Sequence, residues 1–163
     1  MPIKLFTVVM FALLQTSIAF AQSAFIERKL LSTDAARKIV DTCVAFAAEH
    51  NLTLGVAVVD ISGVLLDFHM MEGGGPTTSE TAILKAKTAA HWRRPTTVLE
   101  EAVTGGGNQA SLWINDFPKG GGLPIMIDGQ IAGAVGVGGR DLQDECAQAG
   151  IDAILTQDTA SAQ

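Results

Sequence analysis

The sequence predicts an α+β fold, sandwich-like, in which an antiparallel sheet built from two hairpins carries helices packed on its faces. Three observations predict it. Two pairs of β-rich runs are each joined by a short turn-forming segment, Asp60-Ile61-Ser62-Gly63 and Asp128-Gly129. Segments with apolar residues at three- and four-residue spacing precede, separate and follow these pairs. Strands so close in sequence leave no room for the crossover helix that a doubly wound parallel sheet needs between successive strands.

Each element has its own local reason. Ser32 and Thr33 can cap a first helix whose Ala36, Ile39, Val40, Cys43, Val44 and Ala47 form an apolar stripe, with Asn51 suited to its C-terminal end. Runs 54–60 and 64–70 read as the first hairpin, and the first of them is almost wholly apolar, which predicts a central strand. Gly73-Gly74-Gly75-Pro76 breaks the chain, and Thr78 or Ser79 is expected to cap a second helix through Ala82, Ala86, Ala89, Ala90 and Trp92, ending before Pro95. Its alanines allow close approach to a sheet. Thr97 and Glu100 have capping-box spacing for a short third helix to about Thr104, followed by a loop at Gly105-Gly106-Gly107-Asn108. Residues 112–117 are expected to form a short strand. Runs 123–127 and 130–137 around Asp128-Gly129 make the strongest hairpin signal. Asp141 is expected to cap a last helix lined by Leu142, Cys146, Ala149, Ala153 and Ile154, with a frayed tail at 157–163.

Length and composition bound the function. The 163 residues fit one domain, expected at 22–156, and 48% hydrophobic against 17% charged residues excludes a disordered tail. With 11 Lys plus Arg against 17 Asp plus Glu, the net charge of -6 has the wrong sign for a protein that neutralises phosphates, so no nucleic-acid partner is expected. Residues 1–21 read as a secretory signal peptide: Lys4 gives a basic start, 5–14 is apolar but for Thr7, and Ala19-Phe20-Ala21 places small residues for cleavage before Gln22. A membrane anchor is the alternative, but Gln15, Thr16 and Ser17 interrupt the apolar stretch that a spanning helix of about 20 residues needs. The expected mature protein is periplasmic or secreted, without stable membrane insertion, and losing Lys4 takes its charge from -6 to -7.

Export changes how Cys43 and Cys146 read. In an oxidising compartment they can form a disulfide, and a loop of about 100 residues closed this way is stabilised by about 4 to 5 kcal/mol in the chain-entropy model. The alternative is two unpaired buried cysteines acting as small hydrophobes. Neither has a neighbouring His in the sequence, so neither reads as a nucleophile. Gly136-Val137-Gly138-Gly139 lacks the spacing of a dinucleotide fingerprint, and no H-E-x-x-H, C-x-x-C or G-x-S-x-G motif occurs.

The order of short motifs resembles the haem-degrading GlcG/HbpS-like family, also found as the C-terminal domain of PduO-type proteins. The residues that carry the resemblance are Val56-Ala57-Val58-Val59-Asp60 with Gly63, Lys85-Ala86-Lys87-Thr88-Ala89 and Pro95-Thr96. They continue with Gly121-Gly122-Leu123-Pro124-Ile125, Asp128-Gly129, Gly133-Ala134-Val135-Gly136-Val137-Gly138-Gly139 and Asp144-Glu145-Cys146-Ala147. The resemblance implies a compact domain forming homo-oligomers, with binding of haem, iron or a corrinoid, and haem degradation in some members. Two departures stand out: the family's Arg-Met-Asp-Gly-Ala is here Met70-Met71-Glu72-Gly73-Gly74, and its final Ser-Gly is Gly138-Gly139. An arginine and a hydroxyl are therefore missing.

Haem as cofactor would need axial donors, and with no Tyr the choices are His50, His69, His91 and the methionines. Lys87, His91 and Arg94 stand at i, i+4 and i+7, which on a continuing helix presents an imidazole between two cations; the plain alternative is a solvated basic face. His69 ends the second strand beside Met70 and Met71, and His50 reads as structural at a helix end. His91 and His69 are thus the candidate metal contacts. Gly121 and Gly122, after Lys119 and Gly120, offer backbone N–H groups to a carboxylate or phosphate, or else a flexible approach to a strand. Lys85 lies on a different helix face from Lys87 and, if buried, needs a partner such as Glu72 or Asp60. The expected function is an exported haem- or tetrapyrrole-binding protein with haem degradation as its enzymatic option. The alternatives are a small-carboxylate-binding module or enzyme accessory protein without haem, and a structural oligomer component without a small ligand.

Overall fold

The computed structural model describes residues 24, 26–107, 109, 112 and 114–161, with side chains through residue 156. The signal segment at 1–21 lies outside the described residues. Among the described residues four helices and four strands follow in chain order: α1 (Thr33–Glu49), β1 (Gly55–Asp60), β2 (Leu65–Met70), α2 (Pro76–Trp92), α3 (Thr96–Thr104), β3 (Gly122–Ile127), β4 (Gln130–Gly138) and α4 (Gln143–Ser161). The sheet is antiparallel throughout in the order β2-β1-β4-β3. Each hairpin contributes one central strand, and the two hairpins join where Gly55 pairs with Gly138 and Asp60 with Gly133.

Turn chemistry fixes the first hairpin. The Asp60 carboxylate accepts the backbone N–H groups of Ser62 (2.7 Å) and Val64 (2.9 Å), and Gly63 adopts φ +79°. Ser32 caps α1 as expected, its hydroxyl accepting from Ala35 N at 3.1 Å. The other caps differ from the sequence expectation. Gly75 is the N-cap of α2 and Pro76 occupies its first turn, where a missing N–H costs nothing, so neither Thr78 nor Ser79 caps it. Pro95 starts α3, so Thr97 and Glu100 form no capping box. Asp141 lies two residues ahead of α4 rather than at its cap. No strand forms in the described part of 112–117. Asn115 takes φ +62°, and Asp116 and Phe117 turn their polar groups to α2 instead of a sheet edge.

The core has two halves, one on each side of the sheet. Val56, Val58, Ile125, Val135 and Val137 pack against α1 and α4 through Ile39, Val40, Cys43, Cys146 and Ile151. Cys43 and Cys146 form a disulfide with a Cα–Cα distance of 4.8 Å, which ties the first helix to the last across 103 residues. On the other side, Ala57, Val59 and Ala134 meet α2 through Ala82, Ala86 and Ala89. This contact is a close backbone approach. A Cβ added to Gly136 would lie 2.1 Å from Ala82 O, and one added to Gly138 would lie 2.0 Å from Thr78 O.

Two outcomes follow from this packing. Gly136→Ala is expected to destabilise the protein by about 1 to 3 kcal/mol or more, because helix backbone must move, as a lowered urea midpoint would report. Opening the disulfide with reductant should cost about 2 to 5 kcal/mol in the same measurement.

Candidate functional site

The close seating of α2 carries Lys85 to a place its sequence neighbours do not indicate. The residue is 3% exposed. Its Nζ donates to Val137 O at 3.0 Å and to Gln143 Oε1, linking α2 to the end of β4 and the start of α4. The partners are neutral, so neither Glu72 nor Asp60, expected from sequence, fills this role. Burial pushes the Lys85 ammonium down from 10.5 to about 8; Asp144 opposes that shift, Lys119 adds to it and Glu100 opposes it.

Lys85 forms part of the wall of a cleft of about 670 Å³. Lys119 and Arg140 line the same cleft, together with the Gly73-Gly74-Gly75 run, threonines of the first turns of α2, Leu54, Phe117 and Gln143. Three cations against Asp141 as the lining carboxylate leave the cleft with positive charge in excess. Lys119 is partly committed, since it pairs with Glu100. Glu100 is held below the usual carboxylate range, first by that Lys119 contact and then by the N–H of Gly120. A second groove of about 360 Å³, lined by Leu30, Leu31, Ile127 and Ile154, lies on the α1–α4 side; its Lys29 pairs with Asp128 at 3.3 Å.

The glycine loop does different work from the one its sequence offers. Gly120 N donates to Glu100 Oε2 (2.9 Å), Gly121 N to Asp144 Oδ1 (2.7 Å) and Gly122 N to Thr96 Oγ1 (2.8 Å). The three N–H groups therefore have acceptors within the protein. Added Cβ atoms would come within 2.5 Å of Gln143 Oε1 at Gly121 and 2.7 Å of Lys85 O at Gly122. These glycines set the spacing of the elements that hold Lys85.

Lys87, His91 and Arg94 do not share a helical face. The helix ends at Trp92, and Arg93 turns the backbone to φ +55°, which removes Arg94 from the row. Lys87 and His91 instead lie under the first hairpin, where a Cβ on Gly63 would sit 3.4 Å from His91 Nε2 and 3.5 Å from Lys87 Cγ. Asp116, 25 residues further on, has its side chain 1% exposed and meets His91 Nδ1 at 3.0 Å, while Trp92 Nε1 donates to its other oxygen. This leaves Nε2, which faces the Gly63 turn, as the nitrogen not engaged by Asp116, and a carboxylate on one ring nitrogen is how metal-ligating imidazoles are oriented. His69 lies elsewhere: it pairs with Val56, whose side chain faces α1, whereas His91 is on α2. The two imidazoles are on opposite sides of the sheet. His50 accepts its structural reading, with Nδ1 2.8 Å from Phe46 O and its ring stacked on Phe46. Among the described residues no group of three or more His, Cys, Asp or Glu side chains is placed to hold a metal ion.

Sequence reasoning missed Arg140, Gln143 and Asp116. Arg140 follows the glycines that end β4, a position at the open end of a predicted hairpin, so it was within reach of the sequence. Asp116 carried no such signal.

Fold and cleft together define a small α+β domain, with a four-stranded antiparallel sheet and a cleft lined by three cationic side chains where α2 meets the β4–α4 corner. Residues 31–152 match the family model described as haem degrading protein HbpS-like, and the chain belongs to that family. It is 36% identical over 108 residues to protein GlcG of Escherichia coli K12, covering 66% of this chain and 81% of that one. HbpS of Streptomyces reticuli has the same architecture at 28% identity, with a TM-score of 0.72 over 81% of this chain and 92% of the other. The crystal structure of a PduOC–haem complex aligns at 26% identity with a TM-score of 0.71, over 76% of this chain and 94% of the other.

Lys85 gives the fold a pH signature. Its folded value of about 8 lies below 10.5, so the unfolded chain binds the extra proton between these values and stability from this residue rises with pH across that window. In denaturant titrations, wild type should therefore gain on Lys85→Met as pH increases from below 8 to above 10. An unchanged difference would count against a lysine desolvated in the folded state.

Proposed function

We propose that this chain is an exported protein, periplasmic or secreted, that binds haem or a related tetrapyrrole, with the ligand's carboxylates received in the Lys85 cleft. The observation that carries the reading is the cleft itself: three cations, one of them buried against neutral acceptors only. A propionate would supply a charged partner in direct contact with Lys85, whose hydrogen-bond acceptors are neutral. Family membership and the haem complex of PduOC support the choice of ligand.

The cleft fits the carboxylates of haem in charge, while the candidate iron donor His91 stands outside its lining, beside the turn of the first hairpin. Lys85 and Arg140 would hold carboxylates. His91, oriented by Asp116 through Nδ1, would offer Nε2 to the iron. Bound haem supplies an iron centre whose ligation and pocket polarity decide between oxygen binding and activation. The chain's part is to orient the ligand, and the segment from Asp116 to Lys119 runs between the two contact regions, touching α2 at His91 and lining the cleft at Phe117 and Lys119.

A second reading, a small-carboxylate-binding module, is favoured by the same cleft without the iron contact. Homo-oligomer formation belongs to the proposal in either case. Val64 and Leu65 are 58% and 43% exposed at the outer hairpin, an apolar edge of the kind that partner chains cover.

Haemin titration of the purified protein should give a Soret shift that saturates. His91→Ala should move or weaken the band, and Arg140→Gln should lower affinity about tenfold, the scale of one charge-assisted hydrogen bond. Decay of the band with reductant and air would add degradation to binding. A featureless titration rejects the haem reading, whereas a thermal shift with short carboxylates in that event supports the second.

A further inference from the structure

The Lys85 cleft contains a nucleophile that simple carboxylate binding does not use. An ammonium in contact only with neutral acceptors is poorly compensated, and a lysine that is desolvated and beside a second cation is the form of amine that attacks carbonyl carbon. Here the second cation is Lys119, and Arg140 makes no ion pair with a described side chain. Leu52, Leu54 and Phe117 give the cleft an apolar wall. A ligand that suits all of this carries a carboxylate for the cations, a carbonyl within reach of Nζ and a short aliphatic group.

We propose that Lys85 condenses with a small 2-oxo acid in this cleft to form an imine, an inference that rests on reading the cleft as a carboxylate site. The lone pair of the neutral amine forms the N–C bond, and the carbonyl π pair moves to oxygen, which takes up a proton. Loss of that oxygen as water then creates the C=N bond. The amine supplies both hydrogens of the water, directly or through solvent, so no oxidant or reductant is consumed. Carboxylate contact with Arg140 and Lys119 holds the ketone carbon over Nζ.

The charged groups around Lys85 set the pH range. Burial favours the neutral amine, Lys119 on the loop adds to this, and Asp144 of α4 and Glu100 of α3 oppose it. Arg140 and Asp141 complete the charged lining at the β4–α4 corner. Imine formation should accelerate as pH rises toward about 8 and level off above it.

The test is to incubate the full protein with pyruvate and sodium borohydride, then to measure intact mass and map the modified peptide. One reduced adduct per chain at Lys85 is expected, forming about tenfold or more faster than with acetone, which has the carbonyl but lacks the charge-assisted contact. Arg140→Gln should slow it while leaving the melting temperature of the free protein unchanged. If pyruvate raises the melting temperature but Lys85 stays unmodified, the imine is rejected and the carboxylate reading stands. With neither effect, both are rejected. Adducts spread over exposed lysines such as Lys29 and Lys38, with none at Lys85, also overturn the proposal.

Discussion

The seating of α2 on the glycine side of β4 is the constraint on which the rest of the structure depends. Helix and strand backbones approach so closely that a single methyl at Gly136 would overlap the carbonyl of Ala82. Alanines at 82, 86 and 89 complete the contact from the helix side. Little apolar area is gained from residues this small, so the interface trades hydrophobic burial for precision of distance. That distance allows the Lys85 side chain to reach Val137 O and the first turn of α4. A larger residue on either element would lift the helix and withdraw the amine from the cleft.

Division of labour between the two sides of the sheet follows. The α1–α4 side holds the larger aliphatic residues and the disulfide, so it contributes most of the burial and the covalent tie. The α2 side holds the polar network: Lys85 with Gln143, His91 and Trp92 with Asp116, Thr88 with Phe117, and Thr96 with Gly122. Buried polar groups are costly unless partnered, and each of these is partnered across elements distant in sequence. At the cleft this network leaves positive charge in excess.

The sequence made the strands and their pairing legible because turn chemistry is local. Asp60 with Gly63, and Asp128 with Gly129, specify hairpins within a few residues, and the apolar character of 54–60 marks a central strand. Helix stripes were legible for the same reason. Caps proved harder, since Pro76 and Pro95 start helices by fixing backbone geometry without any side-chain hydrogen bond. The site was legible only in its residue types. Lys85 and His91 were identifiable as chemistry-bearing, but their partners Gln143 and Asp116 come from elsewhere in the chain and share no periodicity with them. The glycine loop looked like an anion cradle, and its N–H groups prove to be satisfied by carboxylates and a hydroxyl that only the tertiary fold brings near.

The strand order β2-β1-β4-β3 also governs the order in which the molecule can be completed. The first hairpin leaves one apolar edge of β1 open until β4 arrives from the far end of the chain, and Cys43 likewise waits for Cys146 on the last helix. The seam between the two central strands is therefore the non-local part of the sheet, and its late formation prolongs exposure of that edge. Completion of the sheet and of the covalent tie therefore waits for the C-terminal hairpin and helix.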